Sequence, residues 1–230
     1  MTRKLAALSV ALAVLVALPG VTLARSEHAV LIHIHVTHGQ AKPQATANCS
    51  TAGTANGAYA VTGWTVQGNK TAHLNTSTVP GSLGNVTSQL QASFNVWGSQ
   101  PGVHDITVAT NGTVTKATAN HSYDLMWART SGNSIAVTYT WRWSNGEIES
   151  DTVFNNRMPW FVASSEGDGC VESTAAYDVA NIATHEFGHT YGLGHPAGDR
   201  WETMYAYGYT GETAKRSLAS GDLAGINSLY

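Results

Sequence analysis

Residues 185–195 read HEFGHTYGLGH, and this stretch decides how the rest of the chain must be arranged. Residues four positions apart in an α-helix lie one turn apart on the same face, so His185 and His189 can bind one metal ion together. Glu186 lies beside them and can reach a water molecule at that metal. If the helix continued, His195 would lie about 15 Å further along its axis and off that face. The third histidine can therefore join the other two only if the helix ends.

Gly192 predicts where the helix ends. Helices commonly stop at a glycine that adopts the left-handed conformation, and Gly194 and Pro196 disfavour a resumption of the helix. His195 can then fold back toward the first two histidines. A different glycine, Gly188, falls inside the predicted helix at a cost of about 1 kcal/mol relative to alanine, which indicates a close approach of backbone from elsewhere.

The chemistry of this residue set is that of a catalytic zinc site. Three neutral imidazoles leave a coordination position of Zn²⁺ open for water, whereas structural zinc sites are closed. We therefore predict that His185, His189 and His195 bind one Zn²⁺. Glu186 is predicted to be the general base that takes a proton from water and then passes it to the leaving amine.

The full pattern HExxHxxGxxH resembles the signature of the metzincin zinc endopeptidases, and its surroundings resemble the matrixin branch of that family. The resemblance implies an α+β zincin-like catalytic domain over residues 56–230, in which a twisted mixed β-sheet is combined with a backing helix, an active-site helix and a C-terminal helix. It also implies a turn after the third histidine whose methionine lies under the zinc. Thr203-Met204-Tyr205 fits this turn, and Met204 would pack against the site rather than bind the metal.

The resemblance also implies a strand that binds substrate. In the family the penultimate strand is the exposed edge above the cleft, and by order it corresponds to residues 135–141 here. Unpaired N–H and C=O groups at such an edge could bind an extended peptide as an added strand, while an ordinary twisted edge strand is the alternative. The residues concerned are Ile135, Ala136, Val137, Thr138 and Tyr139.

The segment after Met204 departs from the family pattern. Ala206 stands where matrixins often have proline, and the tyrosines fall at positions 207 and 209. This segment forms the wall of the specificity pocket in the family. Tyr207 could stabilise an oxyanion or approach the metal, or it could be a packing residue.

Hydrophobic patterning predicts the remaining elements. Residues 84–97 have apolar side chains at helical spacing, which places Phe94 and Trp97 in the core. Asp178 is the predicted N-cap of the zinc helix and Ser220 that of the final helix. Four extended runs between turn signals predict strands, namely HDITVAT, YDLMWART, IAVTYTWRW and IESDTVFN.

The start of the chain predicts export. Residues 1–24 combine two basic residues, an apolar run and a small-residue ending, as in a secretory signal peptide; an uncleaved anchor is the alternative, although the run is short for a bilayer span of about 20 residues. The mature protein is then expected to be secreted, extracellular and without a membrane segment. Residues 25–55 form an N-terminal extension or short propeptide.

Within that extension, His33 and His35 alternate with apolar residues, which predicts a strand. An alternative is a second metal site formed with His38, but no carboxylate or cysteine completes the ligand set. Cys49 and Cys170 are expected to form a disulfide in an oxidising compartment. The alternative places Cys49 on the zinc, as in matrixin proenzymes, but the run ANCSTAG does not match the family's PRCG-type motif.

Composition limits the partners. Charged residues make up 12% of the chain and the formal net charge is −3, with no basic stripe, so nucleic acid is not an expected partner. We expect a monomer that acts on protein or peptide substrates.

The sequence has no clear calcium-binding motif, since GEIESD at residues 146–151 could equally be a solvated turn. Two other functions remain open, a secreted zinc-binding protein without catalysis and a β-rich adhesive module; the presence of Glu186 favours catalysis.

Overall fold

The computed structural model describes residues 28–37, 55–167, 175–198 and 200–230. Within these ranges the chain forms three α-helices, α1 (Thr87–Gly98), α2 (Val179–Thr190) and α3 (Ser220–Leu229). The same ranges contain eleven β-strands: β1 (His28–Thr37), β2 (Ala60–Val61), β3 (Lys70–Leu74), β4 (Ile106–Ala109), β5 (Tyr123–Ala128), β6 (Ser134–Trp143), β7 (Ile148–Asn155), β8 (Trp160–Phe161), β9 (Tyr177–Asp178), β10 (Leu193–Gly194) and β11 (Tyr207–Gly208).

Seven of these strands form one mixed sheet in the order β11-β1-β6-β7-β5-β3-β4. The neighbours β4, β3, β5 and β7 run parallel to one another, and β6 runs antiparallel to β7. Every residue of β7 is buried, as expected for a central strand of a covered sheet. The prediction of an α+β zincin-like fold, with a mixed sheet, a backing helix, an active-site helix and a C-terminal helix, is confirmed.

Aromatic side chains join the two central helices. Phe94 of α1 stacks on Phe187 of α2 with ring centroids 3.6 Å apart. Trp97 donates a hydrogen bond from its indole N–H to the carbonyl of Thr184 at 2.8 Å. Both α1 residues are at most 1% exposed, which agrees with their predicted core positions. Because α2 also contacts β6 and β7, the zinc helix is held between α1 and the sheet.

The prediction that residues 135–141 form an exposed edge is wrong for this structure. They lie in β6, which has β7 on one side and β1 on the other. The pairing with β1 extends from His28 opposite Trp143 to Val36 opposite Ser134. The N-terminal extension therefore covers the edge that the rest of the domain would leave open.

Two local predictions also need correction. Ser220 is the first residue of α3 rather than its N-cap; Ala219 holds that position, and its N–H donates to the carboxylate of Asp222 at 2.9 Å. The GEIESD stretch is not a solvated turn throughout, because Glu149 and Asp151 lie in β7 and are fully buried. None of the described helices is long and apolar enough to cross a membrane.

Candidate active site

Helix α2 carries His185, Glu186 and His189, and hydrogen bonds hold its N-terminus in place. The carboxylate of Asp178, the predicted N-cap, accepts a hydrogen bond from the N–H of Asn181 at 2.9 Å. Arg216 donates two further hydrogen bonds to the same carboxylate, at 2.6 and 2.7 Å. All twelve residues of α2 are buried, so the helix cannot shift without disturbing its neighbours.

The three predicted zinc ligands come together at the other end of α2. The Nε2 atoms of His185 and His189 are 3.2 Å apart, and that of His195 lies 3.1 and 3.0 Å from them. Nitrogens bound at about 2.0–2.1 Å to one tetrahedral Zn²⁺ would be about 3.3–3.4 Å apart. Among the residues that the structure describes, this is the group of three side chains placed to share a metal ion.

The hydrogen bonds of the first two histidines fix their tautomers. Nδ1 of His185 lies 2.7 Å from the carbonyl of Thr203, and Nδ1 of His189 lies 2.9 Å from that of Leu193. A carbonyl can only accept, so both Nδ1 atoms carry the hydrogen and both Nε2 atoms present lone pairs. Two lone pairs cannot hydrogen-bond each other at 3.2 Å, whereas a cation between them satisfies both. The donor set therefore fits Zn²⁺.

The chain turns back at the end of α2 and brings His195 to the other two histidines, as the sequence predicts. Gly192 has a φ of +100°, and a Cβ there would lie 2.3 Å from the carbonyl oxygen of Trp64. Any other residue would meet both backbone strain and a backbone clash. After this turn, Leu193 pairs with Val61 in the short β10–β2 ladder, which leads the chain back toward the first two histidines.

Glu186 is fully buried behind the histidines. Its carboxylate accepts a hydrogen bond from the hydroxyl of Thr138 at 2.5 Å. Burial raises the pKa of Glu186 to about 8, and the Thr138 hydrogen bond opposes this rise. The positive charge of a bound metal would also lower that pKa, because it favours the ionised carboxylate. The group is thus placed to change protonation state during a reaction near neutral pH.

Met204 lies directly against α2. It is 1% exposed, and its sulfur occupies the space beside Gly188, where a Cβ would be only 2.2 Å away. The carboxylate of Asp222 in α3 accepts hydrogen bonds from the backbone N–H groups of Thr203 and Met204, at 2.7 and 3.0 Å. The turn is therefore fastened to α3, and the Thr203 carbonyl in it orients His185.

Comparison with known proteins agrees with this geometry. The family model for matrixins matches residues 64–230. The chain belongs to the matrixin family. The match contains the zinc-helix stretch, the turn at Met204 and the three α-helices found in the described part of this matrixin.

Two curated relatives share part of this matrixin's sequence. Matrix metalloproteinase-25 from Homo sapiens is 33% identical over 84 residues, which cover 36% of this chain and 14% of that protein. Metalloendoproteinase 2-MMP from Arabidopsis thaliana is 39% identical over 70 residues, which cover 30% of this chain and 18% of that protein. The matched regions thus span less than a fifth of either relative's length.

The other predicted site residues of this matrixin are placed as follows. Tyr207 lies in β11 with 40% of its surface exposed, and its carbonyl accepts a hydrogen bond from the buried ammonium group of Lys215 at 2.8 Å. Its roles at an oxyanion or at the metal remain predictions. Cys49 and Cys170 lie outside the described residues, and so does His38.

Several contacts of the site were not predicted from the sequence. The carbonyls of Thr203 and Leu193 give no sequence signal, since any residue offers one. Thr138 stood out only as a strand residue, and its contact with Glu186 depends on how β6 crosses α2. The predicted close approach at Gly188 exists, but the side chains of Met204 and Trp97 make it, rather than backbone.

Gly188→Ala is expected to destabilise the protein by up to about 2 kcal/mol. The added methyl would lie 2.2 Å from the sulfur of Met204 and 2.7 Å from the ring of Trp97. Such overpacking costs about 1–3 kcal/mol, and the better helix propensity of alanine offsets about 1 kcal/mol of it. Denaturant unfolding measures the change. Gly81→Ala is the control, because nothing lies within 4 Å of its added Cβ; equal stability of the two variants would contradict the packing described.

Proposed function

We propose that this matrixin is a secreted zinc endopeptidase that hydrolyses peptide bonds in extracellular proteins or peptides. The observation that carries the proposal is the convergence of three histidine Nε2 atoms within 3.2 Å of one another, two of them from the helix that also carries the buried Glu186 and the third from the chain after that helix. A protein that only binds zinc needs the three histidines and no carboxylate beside them. The acid beside them adds a group that can move protons.

The proposed roles follow from the atoms that face the site. His185, His189 and His195 would hold one Zn²⁺ through Nε2, and the metal would supply Lewis-acid activation of water and of the peptide carbonyl. The ionised carboxylate of Glu186 takes a proton from the attacking water and then gives it to the nitrogen of the leaving amine. Thr138 holds that carboxylate in place, and Met204 packs under the helix that carries it.

The alternatives are less well supported. An all-β adhesive module does not fit a described chain with three α-helices, two of which form the centre of the core. A zinc-binding protein without catalysis would have the same histidines, but it gives no reason for a carboxylate held by Thr138 beside them. Calcium has no support from Glu149, whose carboxylate oxygens already accept hydrogen bonds from the N–H groups of Asn120 and His121.

The proposed function is tested on the purified full chain. We expect about one zinc per chain by elemental analysis, cleavage of unstructured protein substrates, loss of cleavage with a chelator, and recovery on adding zinc. A folded protein that binds no zinc would overturn the zinc site. A zinc-loaded protein that cleaves no substrate in a broad peptide library would favour the non-catalytic alternative.

Thr138→Val is expected to shift the acidic limb of the pH profile of kcat/KM upward by about one to two units. Glu186 must be ionised to accept a proton, and removal of a hydrogen bond that favours the ionised form raises its pKa. A hydrogen bond to a charged group contributes about 1.5–3 kcal/mol, and one pKa unit corresponds to about 1.4 kcal/mol.

Thr140→Val is the matched control for this shift. Thr140 lies two positions further along β6 on the same face, and its buried hydroxyl has no hydrogen-bond partner within the described residues. Its pH profile is expected to match that of the unmodified protein. An acidic limb that stays in place in Thr138→Val would show that Thr138 does not act on the base.

A further inference from the structure

Lys215 is a buried cation that lies outside the zinc site. Its side chain is 1% exposed, and its ammonium group donates a hydrogen bond to the carbonyl of Tyr207 at 2.8 Å. The same ammonium group lies 3.4 Å from the carboxylate of Glu212, which is 2% exposed. Removing an ammonium group from water is costly, so lysines are rarely buried unless they are paired. No step of the proposed mechanism uses this pair.

The backbone at Lys215 is attached to the zinc helix. The N–H of Lys215 donates to the side-chain oxygen of Asn181 at 2.8 Å. Asn181 lies in α2 one turn before His185, and both residues are fully buried. His185 in turn donates from Nδ1 to the carbonyl of Thr203. The chain from Thr203 to Lys215 is therefore a loop that is fastened to α2 at both ends.

The middle of this loop carries an exposed aromatic side chain, Tyr207, which is 40% exposed. Four residues of extended chain span at most about 14 Å, so Tyr207 lies within that distance of Thr203, whose carbonyl binds His185. An extended peptide of six residues spans about 20 Å. A peptide bound at the metal can therefore reach the ring of Tyr207.

Lys215 supports this part of the loop from the interior at two points. Besides the hydrogen bond to the Tyr207 carbonyl, its ammonium group lies 5.3 Å from the ring centre of Tyr205, within the range of a cation–π contact. The rings of Tyr205 and Tyr207 have centroids 5.4 Å apart. The backbone of Tyr207 also pairs with Val36 of β1. The exposed ring thus rests on a segment that one buried ammonium group holds from below.

We infer that Lys215 is a positioning residue for substrate binding, which holds residues 205–207 so that the side chain of Tyr207 is in place to contact an extended peptide. The inference rests on the proposed function. A contact surface that is ordered before binding avoids the entropic cost of ordering it on binding. The three histidines and Glu186 lie outside this segment. Loss of the support therefore weakens substrate binding and leaves the chemical step unchanged.

Glu212 supports the charge of Lys215. Burial lowers the pKa of Lys215, and the carboxylate of Glu212 opposes this fall. Removing the ammonium group alone would leave that carboxylate buried without its cation, which is strongly destabilising. A test of Lys215 must therefore change both partners.

Lys215→Met/Glu212→Gln is the principal test. Replacing a buried ion pair by uncharged residues of similar volume is often neutral for stability. In the full zinc-loaded chain, this variant is expected to have a KM for peptide substrates raised about fivefold or more, with kcat within about twofold. Zinc content is expected to be unchanged. A KM equal to that of the unmodified protein would overturn the inference.

Two further variants check this result. Lys215→Leu/Glu212→Met is a second uncharged pair, measured in the same way if the first pair lowers the melting temperature. Lys116→Met removes an exposed lysine and is the control for a change in net charge, with an expected KM equal to that of the unmodified protein.

A double-mutant cycle tests whether Lys215 acts through Tyr207. Tyr207→Ala is expected to raise KM by a similar factor. When both changes are combined, the KM is expected to match that of Tyr207→Ala alone, because the supported side chain is already absent. Rises in KM that multiply in the combined variant would show that the two sites act independently and would overturn the inference.

Hydrogen exchange separates this inference from the proposed function. If the zinc-loaded protein cleaves nothing, the proposed function fails, yet the order of the loop can still be measured. Faster exchange at the amides of residues 205–209 in Lys215→Met/Glu212→Gln, with α2 unchanged, supports Lys215 as the group that holds the loop. Unchanged exchange in the loop overturns it.

Discussion

Glu186→Gln is expected to lower kcat by about 10²- to 10⁴-fold, the usual contribution of a general base. Glutamine has the same shape, and its carbonyl oxygen can still accept the hydrogen bond from Thr138. It cannot take a proton from water. The three histidines are untouched, so zinc content and the free energy of unfolding are expected to stay close to those of the unmodified protein.

Glu147→Gln is the control for this loss, because Glu147 lies on a surface turn and pairs with His121. It is expected to keep full activity. Peptide cleavage, elemental zinc analysis and thermal unfolding are measured on both variants. A Glu186→Gln protein that retains kcat within about threefold would remove Glu186 from the mechanism while leaving the zinc site intact.

His195→Ala is expected to abolish both cleavage and tight zinc binding. The remaining pair, His185 and His189, can still bind one ion from the helix face, but a catalytic zinc site normally has three protein ligands. Zinc binding to the folded state stabilises it by RT ln(1 + [Zn]/Kd), so a weaker site also loses the rise in melting temperature on adding zinc. Elemental analysis and thermal unfolding with added zinc or chelator measure the two effects.

His73→Ala is the matched control for this variant. Its ring hydrogen-bonds the side chain of Asn111 at 2.7 Å, near the surface. The control is expected to bind zinc and cleave peptide like the unmodified protein. Normal zinc content in His195→Ala would mean that another group supplies the third ligand.

Much of the fold and the site follows from short-range patterns. The spacing of His185 and His189 is a property of any α-helix, and Gly192 can end that helix because it alone accepts the left-handed conformation at low cost. Phe94 and Trp97 could be assigned to the core because their spacing gives one buried face. These predictions need no knowledge of distant residues.

Other features depend on segments that meet only in the folded chain. His195 reaches its position because Leu193 pairs with Val61, more than a hundred residues earlier. The tautomers of His185 and His189 are set by two backbone carbonyls, and no side chain marks these positions in the sequence. The elevated pKa of Glu186 arises from its complete burial, on a helix that packs against both α1 and the sheet.

The sequence by itself determined which residues are the candidates for the site and the class of domain, because helix periodicity and glycine stereochemistry act over a few residues. Only the tertiary structure decided what lies beside β6. The order of the strands left residues 135–141 as an open edge, and strand pairing between distant segments is not encoded in the local pattern of either one. The pairing of His28–Thr37 with β6 turns the expected edge strand into an interior strand of the sheet.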